Sequence, residues 1–216
     1  GFHWGVWSAA VATTISQAIS MVLCLIHLSK KGMPYQLQWR KLRFDREMLG
    51  QMVRYGLPSG VQNSVIGLAN VILQSNINSF GKLAMAGYGA YSKLEGFAFL
   101  PITSFTMALT TYTGQNLGAM QYDRAKKGAR FGILVSITLA ELIGVGMYVF
   151  APQLISIFTP TPEVIALGTQ QARTIALFYC LLAFSHCCAG ILRGLGRPVV
   201  AMMVMLAVWC LLRITY

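Results

Sequence analysis

The chain has 216 residues, of which 56% are hydrophobic and only 11% are charged. A soluble domain usually carries about 25% charged residues, so this composition leaves too few charges to cover a water-exposed surface. The net charge of +11 does not indicate a nucleic-acid partner, because the basic residues lie between apolar blocks without a zinc-finger, helix-turn-helix or RNA-binding pattern. The sequence therefore predicts an all-α polytopic membrane protein whose main surroundings are the lipid bilayer.

Six apolar blocks approach the roughly 20 residues that a helix needs to cross a bilayer core. They lie at about 6–28, 51–80, 84–113, 131–150, 164–192 and 199–216. Transmembrane helices are predicted, because the blocks are too long for barrel strands and lipid cannot satisfy open backbone groups. The chain begins with Gly and ends inside the sixth block, which suggests a piece of a longer protein.

The connections between the blocks differ strongly in basic residues. One set of connections holds Lys30, Lys31, Arg40, Lys41, Arg43, Arg46, Arg54, Arg124, Lys126, Lys127, Arg130, Arg193 and Arg197. The other set holds Lys82 alone. By the positive-inside rule, residues 29–54, 114–130 and 192–198 are predicted to be cytoplasmic in a multi-pass protein of the plasma (inner) membrane. The long segment 29–54 is interpreted as a cytoplasmic linker, either with a short surface helix near 42–51 or as a plain disordered loop.

The second block carries a stripe of amide side chains. Asn63, Asn70 and Gln74 are spaced by seven and four residues, which places them on one helical face. Such a face can line a polar cavity, and it can equally form hydrogen bonds with neighbouring helices.

Glu95 in the third block is the first candidate for chemistry. It lies about eleven residues into the block, or roughly 16 Å at 1.5 Å per residue, which is near mid-membrane. A carboxylate there is costly and is a functional hypothesis by default, since it can be neutralised by a proton, a sodium ion or an organic cation. Tyr91 shares its helical face, so a cation could be held between ring and carboxylate. The alternative is a structural salt bridge with Lys93, which two-residue spacing makes awkward.

Three further residues complete the candidate site. Pro101 interrupts the third block and is predicted to act as a hinge, with ordinary helix kinking as the alternative. Glu141 lies near mid-depth of the fourth block, where a cavity role and a structural hydrogen bond are both open. Lys93 could set the potential around Glu95 or extend to the outer surface.

Three motifs along the chain carry a resemblance to a known family. They are GLPSGVQ at 56–62, GQNLGA at 114–119 and LRGLGRP at 192–198. In order and spacing they resemble the start of helix 7, the end of helix 8 and the 10–11 loop of multidrug and toxin extrusion (MATE) transporters. Arg213-Ile214 also resembles a helix 11 motif of that family, although Thr215 stands where proline is usual.

The resemblance implies a division of the chain and a function. Residues 1–28 would be the last helix of the N-terminal lobe, 29–54 the inter-lobe linker and 55–216 an incomplete C-terminal lobe with helices 7 to 11. Most of one six-helix lobe of a twelve-helix MATE-type fold would thus be present, and the missing N-terminal lobe would be its partner. The implied function is secondary active antiport of organic, often cationic, drugs or metabolites.

The resemblance implies no cofactor beyond a coupling ion. The ion stays open between protons and sodium, because the sodium-coupled branch carries acids in helices 7 and 10 and this sequence has none there.

Other functions are less well supported by the sequence. A lipid-linked oligosaccharide flippase of the same superfamily would need several intramembrane cations, and only Lys93, Arg173 and Arg213 are present. A chain that lacks half of the cavity could also be inert by itself. Without an HExxH, GxSxG or similar catalytic pattern, the protein is not expected to be an enzyme.

Overall fold

The computed structural model describes residues 5–30 and 43–207, which are almost entirely α-helical. The helices are α1 Gly5–Ser29, α2 Arg46–Ser79, α3 Lys82–Gly118, α4 Tyr122–Ser156, α5 Pro162–Ala176, α6 Tyr179–Gly194 and α7 Pro198–Met205. Residues 31–42 of the predicted linker and the end of the sixth block, with Arg213, lie outside the described residues.

The start of α2 differs from the prediction. The second apolar block was predicted to begin at about residue 51, whereas the helix begins at Arg46. Asp45 explains the earlier start, because its Oδ1 accepts hydrogen bonds from the backbone N–H groups of Glu47 at 2.9 Å and Met48 at 3.2 Å. A carboxylate in this position satisfies donors that the first turn of a helix leaves without partners.

The fifth apolar block is not one continuous helix. It is divided into α5 and α6, which are bent by 57° at a short break between Ala176 and Tyr179. The predicted span at 164–192 therefore exists as two half-helices. A side chain of α4 partly holds the backbone of this break.

Helix length and composition alone identify a smaller number of membrane spans. Among the described residues, α1 from Ala10 onward and α4 are long and apolar enough to cross a membrane, and the bent pair α5–α6 makes a third span if it is counted as one. The helices α2 and α3 have 34 and 37 residues, so their length is sufficient. Their amide, hydroxyl and charged side chains lower their hydropathy.

Contacts divide the chain into two compact units, residues 1–49 and 50–216. The first unit contains α1. In the second unit, α3 packs against α4, α5 and α6, α4 packs against α5 and α6, and α7 packs against α6. The buried core shared by α3, α4, α5 and α6 consists of Ala90, Tyr91, Leu94, Ala98, Ile102, Ala140, Met147, Ala151, Ile155, Ala172, Ala176, Tyr179 and Ala183. Seven of these residues are alanines, so the helix backbones approach one another closely.

Glycines make the contact between α3 and α6 especially close. A Cβ atom at Gly190 would lie 2.7 Å from the carbonyl oxygen of Thr106, and one at Gly194 would lie 2.6 Å from that of Thr110. In the same contact, the Thr110 hydroxyl donates to the carbonyl of Gly190 at 2.9 Å. Gly196, which follows in the LRGLGRP motif, has φ +73°, a conformation that favours glycine. The motif therefore combines a close helix contact with a tight turn.

Candidate functional site

The carboxylate of Glu95 is held by a hydrogen bond within α3. Tyr91, one helical turn earlier, donates its hydroxyl proton to Glu95 Oε1 at 2.9 Å. Tyr91 is 1% exposed, whereas Glu95 is half-buried. The two side chains therefore meet on one face of α3, at the edge of the core.

Tyr179 at the start of α6 brings a second phenol to this place. Its hydroxyl is near enough to interact with Tyr91 and Glu95, but no hydrogen bond of acceptable geometry forms within the described part of the chain. The side chain is 1% exposed, so the hydroxyl is a buried and unsatisfied polar group. We refer to Tyr91, Glu95 and Tyr179 as the Glu95 cluster.

The surroundings of the Glu95 cluster decide its chemistry. Leu94 and Ala98 on α3 and Met147 on α4 belong to the same buried core as the two tyrosines. Interactions of a charge are strong in such apolar surroundings, and a carboxylate without a counter-charge is costly there. One carboxylate and two phenol oxygens at the edge of an apolar core can take up a proton or coordinate a small or organic cation.

Lys93 is directed elsewhere. Its side chain is exposed, and Nζ lies 5.8 Å from the centroid of the Phe158 ring, which follows the end of α4. This contact accounts for the position of the ammonium group without a salt bridge to Glu95. The structure therefore does not contain the alternative, a salt bridge between Lys93 and Glu95.

Glu141 connects α4 to the break between α5 and α6. Its Oε2 accepts a hydrogen bond from the backbone N–H of Cys180 at 3.2 Å, in the first turn of α6. The N-terminus of a helix is electropositive and leaves N–H groups without partners, so a carboxylate is favourable at this point. At Gly144, one turn further along α4, a Cβ atom would collide with the carbonyl oxygen of Ala176. Glu141 thus binds the α6 side of the break to α4, and Gly144 leaves room for the α5 side to pack closely against the same helix.

The amide stripe of α2 lies mostly on the surface of the described part of the chain. Asn63 and Asn70 are exposed and Gln74 is half-buried. The Gln74 amide donates to the side-chain oxygen of Asn78 at 2.9 Å, one turn further along the same helix. The role of this face as a cavity lining stays a prediction.

Pro101 lies inside an uninterrupted helix. The helix α3 continues across it from Lys82 to Gly118, with Glu95 about one and a half turns before the proline. The proline cannot donate to the carbonyl of Phe97, so one acceptor of α3 has lost its helical partner. The hinge role also stays a prediction.

Sequence reasoning missed Tyr179. It lies 84 positions from Glu95 along the sequence, and a tyrosine in an apolar block carries no local sign of a distant partner. Packing of α3 against α6 brings the two together.

These features define a class of protein: a polytopic helical membrane protein with a bent span and an acidic residue at the edge of its core. The MatE family model matches residues 58–216, and the chain belongs to that family. The probable multidrug resistance protein YoeA of Bacillus subtilis is 25% identical over 195 residues, covering 89% of this chain and 42% of the relative. The probable multidrug resistance protein YpnP of the same organism is 29% identical, covering 90% of this chain and 43% of the relative.

The fold is also that of a solved transporter structure. The outward-facing conformation of a multidrug resistance MATE family transporter matches with a TM-score of 0.84 and 23% identity, over 94% of this chain and 46% of that chain. The predicted fold class and the MATE resemblance are thereby confirmed. The chain spans less than half the length of the curated relatives that it matches.

Proposed function

We propose that the protein supplies one lobe of a secondary active antiporter that exports organic, often cationic, drugs or metabolites in exchange for protons or sodium ions. Membership of the MatE family and the names of the two Bacillus relatives support export of drugs. The observation that carries the proposal is the hydrogen bond between Tyr91 and Glu95 at the edge of the apolar core. Residues 29–54, 114–130 and 192–198 would face the cytoplasm and the protein would lie in the plasma (inner) membrane.

In this mechanism one negative charge serves two ligands in turn. The coupling ion and the cationic substrate each neutralise Glu95, so binding of one releases the other. The hydroxyl of Tyr91 fixes Oε1, which leaves Oε2 as the oxygen for the incoming cation. Tyr91 and Tyr179 are both 1% exposed, so an organic cation reaches the half-buried carboxylate of Glu95 rather than the faces of their rings. Asn63, Asn70 and Gln74 on α2 would line the polar path of the substrate.

The bent span offers a place for the conformational change. Alternating access in transporters built from repeats commonly involves discontinuous helices near the bilayer midplane. Tyr179 and the N-terminus of α6 lie directly at the break, and Glu141 binds the same turn. Binding of a ligand to Glu95 would therefore change the contacts of Tyr179 and, through it, the conformation of the break. Pro101, on the other side of Glu95, would allow α3 to bend with it.

Ion-driven efflux of ethidium in vesicles that contain the complete gene product tests the proposal. Glu95→Gln keeps the shape of the side chain but removes its charge, and we expect efflux to fall by about tenfold or more, since a charged hydrogen bond is worth about 1.5–3 kcal/mol. Glu163→Gln is the matched control, because Glu163 is exposed in the first turn of α5. Unchanged efflux with an unchanged pH profile in Glu95→Gln would remove Glu95 from the mechanism.

The same vesicles identify the coupling ion. A pH jump without sodium drives efflux if protons are exchanged, and a sodium jump at constant pH drives it if sodium is exchanged. The ion that drives wild-type efflux should fail to drive efflux in Glu95→Gln and should still do so in Glu163→Gln.

A further inference from the structure

A cavity of about 490 Å³, open to the outside along much of its surface, lies between α4 and α5. The carboxylate of Glu95 lies on α3 and takes no part in it. It is lined by Tyr148, Ala166, Thr169, Gln170, Arg173 and Thr174. The lining is rich in hydrogen-bond donors and includes a guanidinium group. Nothing in the proposed antiport mechanism uses these residues.

Tyr148 positions the side chain of Arg173 but does not neutralise its positive charge. Its Nε donates to the backbone carbonyl of Tyr148 at 3.2 Å, and its guanidinium carbon lies 5.5 Å from the centroid of the Tyr148 ring. Both partners are uncharged. A guanidinium has five N–H donors, so four of them remain for a ligand that approaches through the cavity. A charged side chain in a membrane span normally pairs with an opposite charge, and these contacts provide none.

Thr169 on α5 adds a hydroxyl group without a hydrogen-bond partner among the described residues to the lining of the cavity. It lies one helical turn before Arg173 on α5, is 9% exposed, and its hydroxyl has no hydrogen-bond partner within the described part of the chain. A buried hydroxyl without a partner is costly, and rotation about its χ1 bond can direct it to a ligand in the cavity. Gln170 supplies a further amide donor at the exposed side.

The position of the cavity along the helices suggests what fills it. Arg173 lies within the fifth apolar block, and Tyr148 lies about two turns before the end of α4 at Ser156, so both belong to the membrane-spanning part of their helices. A long arginine side chain in a span can extend its charged group toward the interface, where lipid phosphates are found. The planar guanidinium also binds phosphate oxygens in a bidentate manner.

We propose that the cavity between α4 and α5 is a phosphate-binding site, with Arg173 as the charged ligand and Thr169 and Gln170 as neutral donors. The phosphate belongs either to the headgroup of an anionic phospholipid or to a soluble phosphate ester. The proposal does not depend on antiport. It would hold equally if Glu95 had no part in transport.

The test measures thermal unfolding of the purified complete gene product in micelles of an alkyl maltoside, a detergent that carries no phosphate. Phosphatidylglycerol is titrated in one arm and glycerol 3-phosphate in the other, and the concentration that gives half of the maximal stabilisation is recorded. Arg173→Gln should raise this concentration roughly tenfold. Arg130→Gln, an exposed arginine on α4, is the matched control for non-specific attraction and should titrate like the wild type.

Thr169→Val keeps the bond between Arg173 and Tyr148 and is the second variant in case Arg173→Gln unfolds. It should raise the half-maximal concentration severalfold. Stabilisation by phosphatidylglycerol alone identifies a lipid site, and stabilisation by glycerol 3-phosphate as well identifies a site for soluble phosphates. The proposal is overturned if neither compound stabilises the wild type. It is also overturned if Thr169→Val titrates like the wild type, or if Arg173→Gln and Arg130→Gln are weakened equally.

Discussion

The two tyrosines of the Glu95 cluster are equally buried but differ in one hydrogen bond. Tyr91 donates to Glu95, whereas the hydroxyl of Tyr179 is unsatisfied. We expect Tyr91→Phe to destabilise the protein by about 1 kcal/mol, because Glu95 loses its donor, and Tyr179→Phe to be neutral or stabilising. Thermal unfolding of both variants in detergent checks this, and the opposite order of stabilities would contradict the hydrogen-bond assignment.

The sequence was sufficient to find one part of the site because that part is local. Glu95 is conspicuous as an acid in an apolar block, and Tyr91 precedes it by one helical turn. The proximity of Tyr179 to Glu95 results from the packing of α6 against α3, which cannot be predicted from the residues near Tyr179 in the sequence. The position of Lys93 also depended on a distant contact, the ring of Phe158 after α4.

Among the helices, the break between α5 and α6 shows most clearly what local sequence cannot predict. Residues 176–179 read Ala-Leu-Phe-Tyr, with neither glycine nor proline to interrupt a helix. The cause lies in α4, where Gly144 admits the carbonyl of Ala176 and Glu141 accepts from the N–H of Cys180. The span itself was predictable from its hydropathy, since the two half-helices together still cover the apolar block.

This account predicts different costs for two substitutions of Glu141. Glu141→Leu leaves the Cys180 N–H without its acceptor and should destabilise the protein by about 1–3 kcal/mol. Glu141→Gln retains a carbonyl oxygen and loses only the attraction of the charge to the N-terminus of α6, about 0.3–1 kcal/mol. Thermal unfolding distinguishes them. If the leucine variant were as stable as the glutamine variant, Glu141 would not hold the break.

The close contact between α3 and α6 predicts opposite effects for two glycines. Gly194→Ala places a Cβ against the carbonyl of Thr110 and should cost about 1–3 kcal/mol by overpacking. Gly96→Ala on α3 meets nothing within 4 Å and should stabilise the helix by about 0.5–1 kcal/mol. The unfolding midpoints of the two variants should therefore move in opposite directions. A shift in the same direction for both would contradict the packing.

For the whole molecule, the distribution of basic residues predicts how the helices pass through the membrane. The turn between α3 and α4 leads into Arg124, Lys126, Lys127 and Arg130, whereas the turn between α4 and α5 has no basic residue. Since α4 lies between the two turns and is long and apolar enough to span a membrane, they should face opposite sides. The mid-membrane position of Glu95, on which the antiport proposal rests, depends on this arrangement.

Cysteine labelling in intact cells tests the arrangement most directly. Lys127→Cys and Thr161→Cys are made in a version of the complete gene product from which Cys24, Cys180, Cys187, Cys188 and Cys210 have been replaced. A membrane-impermeant maleimide should label position 161 in intact cells and position 127 only after the cells are made permeable. Labelling of both positions from the same side of the membrane would contradict the arrangement of the helices and, with it, the transporter mechanism proposed for Glu95.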